Sequence, residues 1–296
     1  MGRRRRRKRG GIEGVVVIDK PVGPTSRAVV DDVSQRLGLA SAGHCGTLDP
    51  LASGLLVLVA GSATRVQDLL VRGRKIYSVT IRLGARSATD DAEGPIEPVA
   101  VARPPTETEV REALTGFLGH IQQVPPQYSA VHVHGRRLHE RARKGESVDV
   151  PPRSVRVDGL ELREYAWPLL RMRMTCGPGT YVRSLARDLG NRLGTGGFVE
   201  TLRREASGSL HVGLAKTPDE LSPTDVLPLE VVLRDEPALR VEKELLSPLM
   251  QGREVQVPDA TLEVEGILWC EEKVVARVVP TGNGAYRMKR LITPPC

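Results

Sequence analysis

The sequence has 296 residues, of which 40% are hydrophobic and 27% charged, as is typical of a globular protein with about two domains. No stretch approaches the roughly 20 apolar residues that a membrane-spanning helix needs. The charged start, residues 2–11, lacks the apolar core of a secretory signal. Without CxxC or Cys/His spacing, neither a zinc site nor a disulfide framework is expected, and reduced cytosolic thiols are predicted for Cys45, Cys176, Cys270 and Cys296.

The net charge of +7 belongs almost entirely to the N-terminal tail. Arg3 to Arg9 supply seven positive charges, so the rest of the chain sums to zero. A run of like charges cannot pack into a core and is typical of a disordered segment near a polyanion, such as RNA or an anionic membrane. The same run is also compatible with a solvated tail that has no dedicated role.

Two buried strands and a helix are predicted within the first 60 residues. Residues 14–19 are β-branched and end at a rigid turn rich in proline and glycine, which is typical of a short buried strand. Residues 55–59 predict a second buried strand. Between these strands, apolar residues at helical spacing predict a helix that stops at Gly38, with one face formed by Val29, Val30, Val33 and Leu37.

The next segments continue the mixture of helices and strands. Residues 63–70 predict a short helix, and residues 98–105 a loop. Thr106 and Glu109 have the spacing of a capping box. They start a helix whose apolar face is Val110, Leu114 and Phe117.

Two alternating segments and one helical stripe complete this part of the chain. Alternation of apolar with polar residues predicts strands with one wet face. These strands are marked by Tyr77, Val79, Ile81 and Leu83, and by Leu170, Met172 and Met174 before Cys176. A further helix is predicted from the stripe of Val182, Leu185, Leu189 and Leu193.

The order of these elements favours an α+β fold, because strands and helices are interspersed without strict βαβ alternation. Near residue 235 the pattern changes to short β runs divided by glycine and proline. We therefore expect a second, smaller domain that is a β-barrel, with strands over residues 260–264, 267–270 and 274–279.

Glycine and proline crowd the loop of residues 43–54, GHCGTLDPLASG. The pattern predicts a constrained backbone that holds Asp49 just before a buried strand, and catalytic groups concentrate in loops on rigid scaffolds. On spacing alone, Asp49 could instead cap a turn, as an aspartate before proline often does. No GK[ST], GxSxG, HExxH or EF-hand motif occurs, so hydrolase and metal chemistry lack a sequence basis.

A second cluster, residues 176–183, joins a strand to a helix through two glycines. It places Arg183 in the first helical turn, which is unfavourable for a cation unless a carboxylate or phosphate lies opposite. Tyr77 and Tyr128 stand beside basic or proline-rich segments. Their rings suit stacking on exposed bases. Taken singly, however, such an arginine more often extends into solvent and such rings more often pack in the core.

Residues 132–153 hold six basic and three acidic residues besides His132, His134 and His139. The balance predicts a mobile basic helix and loop able to lie against phosphates, or an ordinary solvated face. Histidines among so many arginines make a poor site for a cationic metal, and no metal is expected. The basic residues are Arg136, Arg137, Arg141, Arg143, Lys144 and Arg153.

Taken in order, these motifs resemble those of the TruB family of tRNA pseudouridine synthases. The resemblance covers about residues 12–210. It is carried by GVVVIDKPVGPTS (14–26), GHCGTLDPLASGLLVL (43–58), KIY (75–77), LGARSATDDAEG (83–94), PPQYSA (125–130), CGPGTYVRSLARDLG (176–190) and LRR (202–204).

The resemblance implies a pseudouridine-synthase fold, which is a mixed, largely antiparallel sheet with flanking helices. It divides the chain into a basic disordered tail (1–11), a catalytic domain (12–235) and a small C-terminal domain (236–296). The last is similar in place and size to the PUA-like RNA-binding β-barrel of many family members. The basic region 120–153 corresponds to the family's thumb insertion, which grips the tRNA arm.

The implied reaction is isomerisation of uridine 55, in the TΨC loop of tRNA, to pseudouridine. It consumes no redox or group donor, so no cofactor is expected. By position, Asp49 matches the catalytic carboxylate and Arg183 its paired arginine, with Asp91 completing the charge network. Tyr77 matches the tyrosine that stacks on the target base and is a candidate for the C5 proton transfer. The base-pocket positions are Tyr181, Leu202 and His44, which would fill the space left by the flipped nucleotide.

The resemblance also implies a monomeric cytoplasmic enzyme that binds the T-arm stem-loop of tRNA. No membrane and no obligatory protein partner are expected. In the thumb, His132, His139 and Arg141 depart from the lysine and tyrosines usual at these positions. Two alternatives stay open: a guide-RNA-dependent synthase within a larger particle, which the retained thumb argues against, and an RNA chaperone that folds tRNA over the same surface.

Overall fold

The computed structural model describes residues 11–128, 132–133, 136–137, 150–258 and 260–294. Its centre is a nine-stranded mixed sheet in which one pair of neighbouring strands runs parallel and the other pairs run antiparallel. Numbered in chain order, its strands are β1 (Gly14–Lys20), β2 (Ala42–His44), β3 (Ala52–Ala60), β4 (Lys75–Leu83), β7 (Gly119–Gln123), β10 (Arg153–Ala166), β11 (Leu169–Cys176), β12 (Gly197–Ser207) and β13 (Leu210–His211). The order across the sheet is β1-β3-β12-β4-β11-β10-β7, with β2 on β3 and β13 on β12.

The capping residues predicted from the sequence are found at the ends of the helices. Thr25 caps the first helix through a hydrogen bond from Ala28 N–H to its hydroxyl (3.1 Å), and Gly38 ends it in the left-handed conformation. The capping box of Thr106 and Glu109 is formed as predicted. The helices are α1 (Ser26–Leu37), α2 (Gln67–Arg72), α3 (Glu107–Thr115), α4 (Val182–Arg192), α5 (Leu229–Val232) and α6 (Lys243–Met250), and the 3₁₀ turns are Gly61–Val66, Val212–Leu214, Pro218–Glu220 and Pro223–Asp225.

One hydrophobic core joins α1, α3 and α4 to the buried side of the main sheet. Strand β4 shows why its sequence alternates, because Tyr77, Val79 and Ile81 are buried while Ser78 between them is exposed. This is the α+β arrangement that the element order predicts. Among the described helices, none is long and apolar enough to cross a membrane.

The C-terminal part forms a separate five-stranded sheet. It has a core of its own, and a second core joins it to the main sheet, where Trp269 and Ile292 cluster with Val15 and Leu55. The boundary predicted at residue 235 falls between α5 and this sheet. The strands of the C-terminal sheet lie in the order β14 (Ala238–Val241), β16 (Gly266–Cys270), β17 (Lys273–Gly282), β18 (Ala285–Leu291) and β15 (Val255–Gln256).

Two small two-stranded sheets lie elsewhere in the chain. One pairs β5 (Ala85–Ser87) with β6 (Ile96–Pro98), and the other pairs β8 (His132–Val133) with β9 (Arg136–Arg137).

Three sequence predictions need correction. The strand predicted over residues 260–264 is wrong, because the Ala260 carbonyl accepts a hydrogen bond from the Tyr286 hydroxyl (3.1 Å) and this segment pairs with no strand of the described chain. The helix predicted over residues 63–70 is a 3₁₀ turn followed by α2. Phe117 follows the end of α3, although it still packs against the same core.

Some predictions fall partly or wholly outside the described residues. The predicted thumb begins within strand β7 and ends at the first residue of β10. Between these strands only short stretches are described. Features outside the described residues include Arg3 to Arg9, His134, His139, Arg141, Arg143, Lys144 and Cys296.

Candidate functional site

The loop between β2 and β3 carries Asp49. A turn hydrogen bond from Ala52 N–H to the Asp49 carbonyl (3.0 Å) closes the loop after it. Before it, the buried hydroxyl of Ser26, at the start of α1, exchanges two 2.8 Å hydrogen bonds with the N–H and C=O of Leu48. The backbone is therefore fixed on both sides of Asp49, whose side chain keeps 34% of its surface exposed.

Gly54 lets strand β12 approach this loop. Its φ is +95°, in a region that residues with a side chain rarely adopt. A Cβ atom there would lie 2.3 Å from the backbone oxygen of Arg204 on the parallel strand β12. The glycine therefore permits the close packing that brings β12 beneath the Asp49 loop.

Arg183, a cation at a helix N-terminus, lies opposite a carboxylate, which offsets this unfavourable position. Its Nε lies 2.9 Å from Oδ2 of Asp49, and its Nη1 lies 3.4 Å from Oδ2 of Asp91. The other contacts of the guanidinium are to the carbonyls of Thr89 (3.1 Å, from Nη1) and Tyr128 (3.0 Å, from Nη2). These four contacts leave little freedom to a side chain that is almost fully buried.

Asp91 lies behind the guanidinium. It is 2% exposed, and its Oδ1 accepts hydrogen bonds from the Thr89 hydroxyl (2.5 Å) and from Glu93 N–H (3.1 Å). One guanidinium thus lies between a buried carboxylate that it helps to satisfy and a second carboxylate that faces solvent. The charge network predicted for Asp49, Arg183 and Asp91 is present as a connected set of contacts.

Burial raises the pKa of the Asp49 carboxyl above its usual range. The guanidinium of Arg183 opposes this rise most strongly, and the charge of Asp91 adds to it. The ammonium of Lys20 also lowers the pKa of Asp49. The ionisation state of Asp49 therefore depends on the two cations that face it.

Lys20 is a second buried cation beside the loop, and it was not among the residues predicted to form the site. Its Nζ donates hydrogen bonds to the carbonyls of Pro21 (2.8 Å), Pro24 (2.8 Å) and Pro50 (3.4 Å). Burial lowers the pKa of Lys20 to about 8, against the opposing charges of Asp49 and Glu93. Its position at the end of a predicted buried strand, just before a rigid turn, is the one sequence feature that could have indicated it.

Tyr77 faces the same site from strand β4. Its register partner on β12 is Arg204. Burial raises the pKa of the Tyr77 phenol, and the Arg204 guanidinium opposes that rise. At neutral pH the side chain is therefore a neutral phenol, which can donate a hydrogen bond and present the face of its ring.

Arg204 is the second residue of the site that was not predicted from the sequence. It is 1% exposed, and its guanidinium donates to the carbonyls of Leu55 (2.7 Å), Gly46 (3.1 Å) and Thr47 (3.5 Å). Two of these hydrogen bonds fix the backbone of the Asp49 loop, at Gly46 and Thr47. The alternation Leu202, Arg204, Ala206 along a strand is a signal that could have placed this arginine on the buried face.

These side chains open into one cavity of about 570 Å³, within the range typical of small-molecule pockets. It is lined by His44, Asp49, Tyr77, Tyr128, Tyr181, Arg183, Leu202 and Arg204, among others. Six of the seven sequence-predicted site residues thus meet at one cavity, and the seventh, Asp91, lies behind Arg183.

Two rings on the walls of the cavity are held by their backbones. Gln123 of β7 receives a hydrogen bond from Tyr181 N–H (2.8 Å) and donates one to the Tyr181 carbonyl (3.0 Å). The carbonyl of His44 accepts from Gln67 (2.8 Å), while its buried Nδ1 has no hydrogen-bond partner within the described part of the chain. Burial and the nearby charges of Arg204 and Arg27 lower the pKa of His44, so its imidazole is neutral at neutral pH.

No group of three or more His, Cys, Asp or Glu side chains with metal-site geometry occurs among the residues described here. The cavity instead combines one partly exposed carboxylate, buried cations and several flat rings. A flat polar ring such as a nucleobase fits these walls, because aromatic side chains stack on any base. The carboxylate can act on such a ring or on the carbon attached to it as a nucleophile or a base.

The fold resembles that of chains in solved Cbf5 complexes. The described structure superposes on a solved Cbf5–Nop10–Gar1 complex with a TM-score of 0.73 at 24% identity, covering 96% of this chain and 86% of that one. A solved archaeal box H/ACA Nop10–Cbf5 complex gives a TM-score of 0.69 at 23% identity, covering 97% of this chain and 89% of that one. At this identity the likeness concerns the fold alone, and it includes the curled C-terminal sheet, which is consistent with a PUA-like half-barrel.

Sequence comparison identifies the family of the chain. Residues 34–182 match the N-terminal domain model of the TruB family pseudouridylate synthases. Relatives that are called tRNA pseudouridine synthase B include that of Roseobacter denitrificans, 41% identical over 98% of this chain and 99% of the relative. That of Dehalococcoides mccartyi is 35% identical over 96% of this chain and 98% of the relative. The chain belongs to the TruB family of pseudouridine synthases.

Proposed function

We propose that this protein isomerises uridine 55, in the TΨC loop of tRNA, to pseudouridine. The observation that carries the proposal is the cavity in which the Asp49 carboxylate, 2.9 Å from the Arg183 guanidinium, faces the ring of Tyr77. The relatives named tRNA pseudouridine synthase B, which align over nearly the whole chain, support tRNA as the substrate.

The target uridine must leave the tRNA stack to reach Asp49. Extrusion of a base costs a few kcal/mol, and stacking on aromatic rings returns about 1–3 kcal/mol per base. Tyr77 and Tyr181 line the cavity and can sandwich the uracil, with Leu202 as apolar packing. The neutral imidazole of His44 is placed to fill the space that the flipped nucleotide leaves in the RNA.

Asp49 is assigned as the residue that adds covalently to the substrate, and this bond breaks again before the product leaves, which regenerates the carboxylate. In the overall reaction the bond from N1 to the ribose C1′ breaks and the bond from C5 to C1′ forms. The proton at C5 is lost and N1 gains one, so the atoms balance without a donor. Arg183 and Lys20 favour the ionised, nucleophilic form of Asp49, and Tyr77 is the candidate for moving the C5 proton.

The remaining parts of the chain are assigned to holding the RNA. We assign residues 120–153, the proposed thumb, to the phosphates of the T-arm, and the PUA-like domain, residues 236–296, to further RNA contact. Affinity that rests on phosphates must fall steeply with salt. A monomer acting in the cytoplasm without an obligatory protein partner belongs to the same proposal, and the free buried thiols of Cys45, Cys176 and Cys270 fit a reducing compartment.

The test is release of tritium from a tRNA transcript that carries C5-tritiated uridine. The wild type should release the label from position 55, and a transcript with cytidine at that position should lose this release. Asp49→Asn should abolish turnover, whereas Asp219→Asn, at a side chain that is 96% exposed, should leave it unchanged. Turnover by Asp49→Asn would remove the catalytic assignment, and release from the cytidine transcript would remove the assignment of position 55.

Two alternatives predict different results. A guide-RNA-dependent synthase requires partner molecules, so activity of the isolated protein on a bare T-arm stem-loop would exclude that role. A tRNA-folding chaperone would keep its effect on tRNA folding in Asp49→Asn, because folding does not need the nucleophile. A chaperone role can coexist with catalysis over the same surface.

A further inference from the structure

Helix α4 presents two arginines, four residues apart, to the short loop of residues 87–91. Arg183 contacts Asp91 (3.4 Å) and the carbonyl of Thr89 (3.1 Å). One turn further along, Nη1 of Arg187 lies 3.0 Å from Oδ2 of Asp90. A spacing of four residues puts both guanidiniums on one face of the helix. Asp90 therefore stands between the two loop residues that hold Arg183.

The Asp90–Arg187 contact is built into its surroundings. Both side chains are mostly buried. Arg187 also contacts Asp188 (2.9 Å, from Nε) and donates to the carbonyl of Val124 (2.9 Å, from Nη2). Burial raises the pKa of Asp90, and Arg187 and then Arg183 lower it, so this carboxyl is influenced by both guanidiniums.

The backbone at Asp90 is also constrained. Its N–H donates to the Ser87 carbonyl (3.1 Å), and its carbonyl accepts from Val199 N–H (3.0 Å). Its φ is +61°, the left-handed conformation, which aspartate and asparagine tolerate better than most residues with side chains. A loop that is fixed by one side-chain contact and two backbone contacts can set the position of the residues next to it.

We propose that Asp90 and Arg187 are positioning residues for the reaction. Their ion pair holds the loop of residues 87–91 against helix α4 and thereby keeps Arg183 on the carboxylate of Asp49. The inference rests on the proposed function but concerns two residues that neither line the Asp49 cavity nor touch Asp49. It follows from geometry, because Thr89 and Asp91 supply two of the polar partners of Arg183 and both are bonded directly to Asp90 in the chain.

Side chains of α4 also hold the segment of residues 124–128, which contributes Tyr128 to the wall of the cavity. Arg187 and Ser184 both donate to the Val124 carbonyl (2.9 and 2.8 Å), and Arg183 donates to the Tyr128 carbonyl (3.0 Å). Tyr128 lines the cavity. Arg187 therefore contacts both segments between which Arg183 is held, and loss of its contacts should loosen both.

The test compares Asp90→Asn, Arg187→Gln and the double variant. Asparagine tolerates the left-handed backbone, so the first variant should fold. At saturating tRNA we expect each single variant to lower the single-turnover rate about 10-fold, with the Kd for tRNA within about twofold of wild type, since a small misplacement of reacting groups is costly. The double variant should be no slower than the slower single variant, because both changes break the same contact.

Glu200→Gln is the matched control. It breaks the ion pair of Glu200 with Arg82 (2.7 and 2.9 Å), which is of similar geometry and partial exposure but lies outside the Asp49 cavity. Its rate should equal that of the wild type. A wild-type rate in Asp90→Asn, or a loss confined to Kd, would overturn the proposal.

A readout that needs no activity separates this proposal from the proposed function. In ¹⁵N spectra the Nη–H groups of Arg183, which donate to the carbonyls of Thr89 and Tyr128, should exchange slowly in the wild type and at least about tenfold faster in Asp90→Asn. Unchanged exchange would overturn the positioning role whatever the protein acts on. A wild type that forms no pseudouridine would instead refute the proposed function, and the exchange measurement would still decide the role of the pair.

Discussion

Replacing Arg183 by glutamine should lower the rate of pseudouridine formation and shift its pH dependence. The substitution removes the guanidinium that lies 2.9 Å from Asp49 and 3.4 Å from Asp91. Glutamine can still donate hydrogen bonds but carries no charge. Asp49 and Asp91 would then face each other with Lys20 as the remaining cation that lowers the pKa of Asp49.

The size of the effect follows from these distances. Two unit charges about 3 Å apart interact by about 5 kcal/mol at an effective dielectric constant of 20. Because Asp49 is one-third exposed, solvent screens part of this energy, and the guanidinium no longer has to be desolvated. We therefore expect about 3 kcal/mol to be lost, which corresponds to a rate lower by about 100-fold near neutral pH.

The pH dependence of the rate shows whether Arg183 acts through its charge or through the shape of its side chain. Arg183 lowers the pKa of Asp49, so its removal raises that pKa further, and the ionised nucleophile forms only at higher pH. Single-turnover tritium release, measured from about pH 6 to about pH 9, should show the acidic limb displaced upward, with the largest loss at the lowest pH. Arg183→Lys, which restores the charge without the planar fork, should fall between glutamine and wild type.

Two results would refute this reasoning. A rate within about threefold of wild type across the profile would mean that the guanidinium does not control the state of Asp49. A loss of equal size at every pH would mean that Arg183 acts by holding the walls of the cavity in place. Thermal unfolding of each variant, with Arg36→Gln as a control at an exposed ion pair, checks that the fold is intact.

Three further predictions address the ring, the glycine and the C-terminal sheet. Tyr77→Phe should keep tRNA affinity but slow single turnover about 100-fold, since it removes the proposed proton carrier, whereas Tyr77→Leu should also weaken binding by about 1–3 kcal/mol; Phe at wild-type speed would contradict the proton role. Gly54→Ala should lower the free energy of unfolding in urea by about 2 kcal/mol or more, because φ is positive at this position and the new Cβ would lie 2.3 Å from the backbone oxygen of Arg204. Gly213→Ala, where the new Cβ would meet no atom within 4 Å, should leave the stability nearly unchanged. Arg277→Gln leaves Asp68 and Glu265 without their shared guanidinium and should lower the free energy of unfolding by about 2 kcal/mol, a value reduced because Asp68 is partly exposed. Arg287→Gln, at an exposed residue of the same sheet, is the control. Equal melting temperatures of the two variants would refute the prediction.

The periodic elements could be predicted from the sequence because their burial pattern is local. The stripe on α1 and the alternation on β4 each record which side faces the core, and both predictions are confirmed. Residues 260–264 show the limit of this reasoning. Their alternation resembles a strand, but a strand needs a neighbour with free backbone groups, and neighbours are set by the whole fold.

The candidate site could be predicted in part. Asp49 was marked by the glycines and proline around it, which are local. Its contact with Arg183, 134 residues away in the chain, was not visible in local pattern and entered through the family resemblance. Nothing local distinguishes an arginine that meets a carboxylate from one that meets solvent, because the difference lies in how α4 packs against the sheet.

Lys20 and Arg204 were missed for a different reason, since their partners are backbone carbonyls, which every residue has. Lys20 donates to Pro50, and Arg204 donates to Gly46 and Thr47, so the two cations hold the Asp49 loop at both of its ends. Carbonyl oxygens satisfy the hydrogen bonds of these cations without neutralising their charge. The charge of Lys20 therefore remains available to lower the pKa of Asp49 together with that of Arg183, and an ionised nucleophile is possible in a cavity that would otherwise favour its protonated form.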